Sequence, residues 1–158
     1  MTTALDIILV AAIRIAMILL FLPCSALDKI LNFRGAVAQA REVAPNKTAA
    51  AALIAAGLAV EIFMSLGVVT GIADRPCALV LAGYCTVTAL FWKQFWKPGD
   101  FWASGTGRGR ALFWDFMKNV ALGAGFLLIA VGTDVRAVDN VLSHPQWSSH
   151  PYRSATLK

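Results

Sequence analysis

Histidine is missing from every long apolar stretch of this 158-residue chain; its two copies, His144 and His150, stand in His-Pro dipeptides near the C-terminus. Paired axial imidazoles for a haem inside a helical bundle are thereby excluded, and two histidines in a proline-broken segment are too few for a metal site. Cysteine is equally sparse. Cys24, Cys77 and Cys85 are odd in number and nowhere spaced as CxxC. That excludes a cysteine-held iron–sulfur centre and argues against a thiol enzyme of the four-helix vitamin K epoxide reductase kind. The three cysteines read as small apolar residues. Any redox role must therefore use an electron carrier that diffuses or belongs to another subunit. Charge is scarce too: 15% of residues are charged, against about 25% in an average soluble domain.

What replaces charge is hydrocarbon. Hydrophobic residues make up 58% of the chain and the mean hydropathy is +0.67. They gather in four runs, about 7–27, 49–71, 76–96 and 112–132, the third reaching its full length only through Phe95 and Trp96. A helix needs roughly 20 apolar residues to cross a hydrocarbon core. The expectation is an all-α membrane protein, a four-transmembrane-helix bundle over residues 1–139 followed by a polar C-terminal tail, 140–158, ordered or partner-bound. The first run is too long for a signal-peptide core, has no Lys or Arg ahead of it and is interrupted by Arg14, so it is expected to remain in place.

The net charge of +5 is no nucleic-acid footprint, because its distribution follows the loops. Lys29, Arg34, Arg41 and Lys47 lie between the first two runs, and Lys93, Lys97, Arg108 and Arg110 between the last two. Against these eight, the other face has four: Arg75, Arg136, Arg153 and Lys158. The positive-inside rule puts the two long loops in the cytoplasm and both termini outside. In the first loop Ile30, Phe33, Val37 and Ala40 recur at helical spacing, which predicts a short interfacial amphipathic helix. Thr48 is the expected N-cap of the second span, and Asp74-Arg75-Pro76 a turn with Pro76 opening the third helix. Gly57, Gly67 and Gly71 are the small residues that let helices approach closely. Around the second long loop cluster Trp92, Phe95, Trp96, Phe101, Trp102, Phe113 and Trp114, either an interfacial aromatic belt or a shelf for a flat ring or partner. The glycine-rich stretch from Gly105 to Arg110 follows no strand and reads as a flexible loop, not a phosphate cradle.

Three ionisable residues, Arg14, Glu61 and Lys118, sit inside the apolar runs. A charge there is costly, by ~2.5–3.5 kcal/mol or more, and is a functional hypothesis by default. Counted from the termini side at ~1.5 Å per residue, Arg14 and Glu61 both stand near ~14 Å depth and are expected to pair. In the opposite half Lys29 is expected near Asp115, with Asn119 one turn beyond Asp115 and Lys118 beside it. Arg14, Lys29, Glu61, Asp115 and Lys118 sum to +1, so the interior suits an anionic or electron-rich ligand: a quinone, a lipid headgroup or a small acid. The alternative is that these groups only pin helix register.

These polar positions also carry a resemblance. Arg14 within RIAMILLFLP, Lys29 about four turns on, Glu61 within LAVEIFMSLGVVTG, the aromatic KPGDFW, and FWDFMKNVALGAGFLLIAVG with Lys118 and Asn119 together resemble the DoxX family of small four-helix bacterial membrane proteins. The resemblance spans about residues 13–139. It implies a multi-pass protein of the bacterial cytoplasmic membrane, in contact with lipid and with other membrane subunits or further copies of itself. It further implies a membrane subunit of a respiratory or quinone-linked oxidoreductase complex, holding no metal or haem of its own and binding quinone or lipid. Two other functions stay open: a non-catalytic accessory or assembly subunit, and a small-solute or lipid transporter. A subunit is expected over an independent enzyme, since no complete catalytic constellation is present.

Overall fold

Proline 23 breaks the first apolar run, and much of the architecture follows from that bend. The computed structural model describes residues 2–133, 137–143 and 146–152, so Arg136, His144, Arg153 and Lys158 lie outside the described residues. Helix α1 (Thr2–Ile18) runs into a distorted turn, Leu20–Ser25, in which Leu22 leaves helical geometry (φ −123°, ψ 108°). The residue before a proline is pushed out of the helical region, and here it redirects the chain. Helix α2 (Ala26–Leu31) then continues at a new angle, and α3 (Phe33–Ala40) folds back after Asn32. Next come α4 (Lys47–Thr70), α5 (Asp74–Trp92), α6 (Arg108–Val131) and the short α7 (Ala137–Ser143). Four stretches are long and apolar enough to cross a membrane: Ala4–Leu31, Lys47–Thr70, Asp74–Trp92 and Arg108–Val131. No strand occurs among the described residues. The chain is an all-α, multi-pass membrane protein.

Several boundaries differ from those the sequence suggests, each for a local reason. Asn46, not Thr48, caps α4: its side chain accepts from the Ala49 amide at 2.8 Å. Helix α5 opens at Asp74, which places Pro76 third in the helix, still within the first turn where amides lack intrahelical acceptors. Its end comes at Trp92 because Lys93 leaves helical geometry, so Phe95 and Trp96 belong to the loop and not to the span.

The core is built on small residues. Ala78, Leu81, Ala82, Cys85 and Ala89 recur at helical spacing along one face of α5 and are buried against α6, whose Phe126 and Ala130 are buried in turn. At Gly123 of α6 a Cβ would already stand in contact with the Ala82 backbone and the Cys85 side chain, at 3.4–4.0 Å, so the two helices approach closely. Large apolar residues such as Leu20, Phe63, Val80 and Leu128 instead face outward, as lipid contact requires. Helix α3 lies across the first turns of α4, burying Val37 and Ala40 against Ala50, Ala51 and Ile54. The amphipathic face is thus narrower than its spacing suggests, since Ile30 and Phe33 remain exposed.

The segment 146–152 folds back onto its own chain as a strap over the α4–α5 turn. Ser149 donates to Asp74 through its backbone amide (2.8 Å) and its hydroxyl (2.5 Å), while Ser148 donates to the Gly71 carbonyl. Tyr152 donates to the Val69 carbonyl at 2.5 Å. Pro151 sits against Gly71, whose φ of +72° and missing side chain both suit glycine at this helix end. Losing a buried hydrogen-bond partner costs about 1–3 kcal/mol. Ser149→Ala, which strips two groups of a bond, is expected to lower the thermal midpoint in detergent more than Tyr152→Phe. An unchanged midpoint for Ser149→Ala would count against the strap.

Candidate functional site: a cleft above a buried lysine–glutamate pair

Glu61 is 1% exposed in the middle of α4, a place where a carboxylate must be neutralised on the spot. The bend at Pro23 brings α2 to it. Lys29 Nζ lies 2.5 Å from Glu61 Oε1, and Ser25 Oγ, one turn earlier on the same face, donates to that oxygen at 3.0 Å. Tyr84 of α5 supplies a third donor at 2.8 Å. Lys29 also donates to Ser25 at 2.7 Å, so hydroxyl, ammonium and carboxylate close a ring. Glu61 Oε2 is buried and has no partner among the described residues, and the hydroxyl of Ser65, one turn along α4, is in the same condition. Phe21 packs edge-on against the Tyr84 ring, with centroids 6.0 Å apart, and fixes the ring's position from below. Gly57 opens the route from above: a Cβ there would stand 3.2 Å from the Tyr84 hydroxyl.

Ser25, Lys29 and Tyr84 also line a cavity of about 580 Å³ between α2, α3, α4 and α5. Its polar wall adds Asp28, Asn32, Gln39, Thr88 and Lys93; its apolar wall is made by Leu53, Ile54, Val60, Val87 and Trp92. An ammonium has three protons, and two of those on Lys29 go to Glu61 and Ser25. The third has no partner among the described residues. A few convergent donors in a mainly apolar cleft are what orients a flat, weakly polar molecule.

The expected Arg14–Glu61 pair does not form. Arg14 binds Asp74 at 2.7 Å, the Val68 carbonyl at 2.7 Å and the Ser149 hydroxyl at 3.0 Å. Val68 is seven residues beyond Glu61, ~10 Å along α4. Equal counts from two helix ends give equal depths only when the ends are level, and α1 overhangs α4 on the termini side. Asp74, 0% exposed, neutralises Arg14, so the +1 sum over five groups omitted an interior charge. The expected Lys29–Asp115 contact is also absent. Asp115 pairs with Lys93 at 3.2 Å and with Lys118 at 3.4 Å. Lys118 is not interior: its side chain is 75% exposed and reaches back one turn toward the start of α6. Asn119 donates to the Asp115 backbone carbonyl of its own helix at 2.9 Å.

The aromatic cluster is folded on itself. Phe95 is its centre, with ring centroids 5.0–5.5 Å from Trp96, Phe101, Phe113 and Phe116. Trp96, Trp102 and Trp114 turn outward, while Trp92 faces the cleft. The glycine-rich stretch is held in place. Asp100 accepts from the amides of Arg108 (2.8 Å) and Gly109 (2.7 Å), and Arg110 donates back to Gly105 and Ala103. With a carboxylate already on its first amides, the start of α6 cradles no phosphate.

Sequence reasoning thus found Lys29 and Glu61 but missed Ser25, Tyr84, Lys93, Asp74 and Ser149. Serine and tyrosine cause little interruption in an apolar run; the one available signal for Ser25 was its one-turn spacing from Lys29. Because Gly57 acts through Tyr84, Gly57→Ala and Tyr84→Phe are expected to be strongly non-additive. Removing the hydroxyl should cost about 1.5–3 kcal/mol, as for a hydrogen bond to a charged group. Adding Gly57→Ala to Tyr84→Phe should then cost little more in a detergent unfolding titration, whereas full additivity would place the methyl's effect elsewhere.

A comparison with protein families matches the chain to the model described as DoxX over residues 9–94 of the 158. It takes in Arg14, Lys29, Glu61, Asp74 and Tyr84, and ends before α6, so the stretch containing Lys118 and Asn119 is not part of it. Neither a curated protein nor a solved structure matches the chain. With more than half its length matched, and with four apolar helices arranged around buried polar residues, the chain belongs to the DoxX family.

Proposed function

We propose that this DoxX protein is a membrane subunit of a quinone-linked oxidoreductase complex, and that the cleft above Lys29 and Glu61 binds the quinone headgroup. The observation that carries the reading is the convergence of three donors that line a mainly apolar cavity, Ser25, Lys29 and Tyr84, on one buried oxygen of Glu61, with the other oxygen unpartnered among the described residues. A pin serving only helix register gains nothing from a half-satisfied carboxylate, which costs stability. Leu53, Ile54, Val87 and Trp92 offer a flat ring an apolar slot, and the free proton of Lys29 is a donor for a carbonyl oxygen. Tyr84 can turn its hydroxyl from Glu61 to the same ligand. A bound quinone supplies the two-electron carrier; the residues here bind it, orient it and hold protons beside it. Metal centres belong to the partner subunit. Lys93, paired with Asp115 at the other end of the cleft, adds positive charge where an electron-rich ring would sit.

The cationic loops support a location in the bacterial cytoplasmic membrane with both termini outside. Arg34, Arg41 and Lys47 stand at one end of the bundle with Lys93, Lys97, Arg108 and Arg110, while Arg75 stands at the other.

The test is extraction of quinone from the chain purified from its native membrane into nanodiscs. Wild type is expected to retain lipid quinone near one per chain. Lys29→Met and Tyr84→Phe should each weaken quinone affinity about tenfold, as the loss of one well-placed hydrogen bond would, and so retain clearly less quinone than wild type. Lys97→Gln, an exposed residue that does not line the cleft, should match wild type. Absence of quinone from wild type, or equal retention by all three variants, would overturn the proposal.

A further inference from the structure

The surface helix α3 walls two different concavities. Asn32, Gly35, Ala36 and Gln39 face the cleft already described. Two residues on from each of these the helix has turned by ~200°, so Arg34, Val37, Ala38 and Arg41 face the other way. There they line a second cavity of about 320 Å³, completed by Phe33 and by Lys47 and Ala51 of α4. Val37, Ala38 and Ala51 make its apolar floor, and Arg34, Arg41 and Lys47 are its charged residues. No acidic residue lines it, and Glu42 beside Arg41 is not part of the wall. Among the described residues none of the three cations has an ion-pair or side-chain hydrogen-bond partner, unlike Arg14, Lys29, Lys93, Arg110 and Lys118.

We infer that this groove binds the phosphodiester headgroup of an anionic phospholipid. Two guanidinium groups two turns apart on one helix face, with an ammonium across from them, match the charge and the several acceptor oxygens of a phosphodiester. The position selects a lipid. Helix α3 starts two residues after the end of the span Ala4–Leu31 and packs on the first turns of the span Lys47–Thr70, so the groove sits at the end of two membrane spans. Leu31, 78% exposed, and the exposed Phe33 extend apolar surface beside it for the acyl chains. A basic pocket at that level, next to apolar surface, is the general form of an anionic-lipid site. Since α3 is a wall of both cavities, a bound headgroup braces one side of the cleft.

Native mass spectrometry of the full chain, titrated with phosphatidylglycerol, phosphatidylcholine or inorganic phosphate, reads this directly. Wild type is expected to bind one phosphatidylglycerol at least ~10-fold more tightly than phosphatidylcholine. The combined variant Arg34→Gln, Arg41→Gln, Lys47→Gln should abolish that preference, and Arg41→Gln alone should lower it several-fold, which keeps the test valid if the combined variant folds poorly. Lys97→Gln, an exposed cation elsewhere, should leave it unchanged. Equal binding of the two lipids would overturn the inference. So would a preference undiminished in Arg41→Gln, a loss in Lys97→Gln as large as in Arg41→Gln, or displacement of the lipid by equimolar inorganic phosphate.

Discussion

A charge inside an apolar bundle has to be neutralised where it stands, and this molecule meets that requirement twice. Lys29 with Glu61 joins the bent end of the first span to α4; Arg14 with Asp74 joins α1 to the start of α5. Breaking such a pair by removing one partner costs about 3–5 kcal/mol, because the other charge is left buried and alone. The relative heights of the first three spans are therefore set by where the ions meet, and the small residues between helices allow that height. The bend at Pro23 brings Ser25 and Lys29 to the carboxylate, and the strap delivers Ser149 to the carboxylate at the opposite end of the bundle.

The two pairs are built differently, and the difference bears on function. Arg14 and Asp74 are saturated: guanidinium, carboxylate, carbonyl, hydroxyl and amide all find partners, with the tail closing over them. Glu61 takes three donors on one oxygen and none on the other, and those donors, Ser25, Lys29 and Tyr84, line an open cleft. A saturated site is a fastening. A site whose donors line a cavity has bonding capacity left for a ligand: Ser25, Lys29 and Tyr84 border the cleft, which is why the quinone reading rests on the donors around Glu61 and not on Arg14. The basic groove on the reverse flank of α3 belongs to the same logic, with cations that meet no acidic partner among the described residues.

Much of this was legible in the residues. Four apolar runs declare four spans because hydrocarbon selects for length and apolarity without regard to partner. Arg14, Lys29 and Glu61 stand out because each is costly where it lies. Pairing was not legible: it depends on the register between helices, and a count from helix ends fails when α1 overhangs α4. Asp74 looked like a turn residue since it begins a helix beside a proline, and Tyr84 and Ser25 disappear into apolar surroundings. Lys118 misled for the opposite reason. A long side chain on an apolar helix looks interior in one dimension but points outward in three. The strap from Ser148 to Tyr152 joins residues more than seventy positions apart in the chain, and no local pattern encodes such a contact.

The central claim is that Glu61 belongs to Lys29 and Asp74 to Arg14. Four double-mutant cycles decide it, pairing Arg14→Gln and Lys29→Met in turn with Glu61→Gln and Asp74→Asn, each read by reversible unfolding in detergent. Coupling of about 0.5–3 kcal/mol is expected in the Lys29–Glu61 and Arg14–Asp74 cycles, and near-additivity in the two crossed cycles. Coupling between Arg14 and Glu61, with additivity between Lys29 and Glu61, would contradict the arrangement on which both the cleft and its proposed ligand depend.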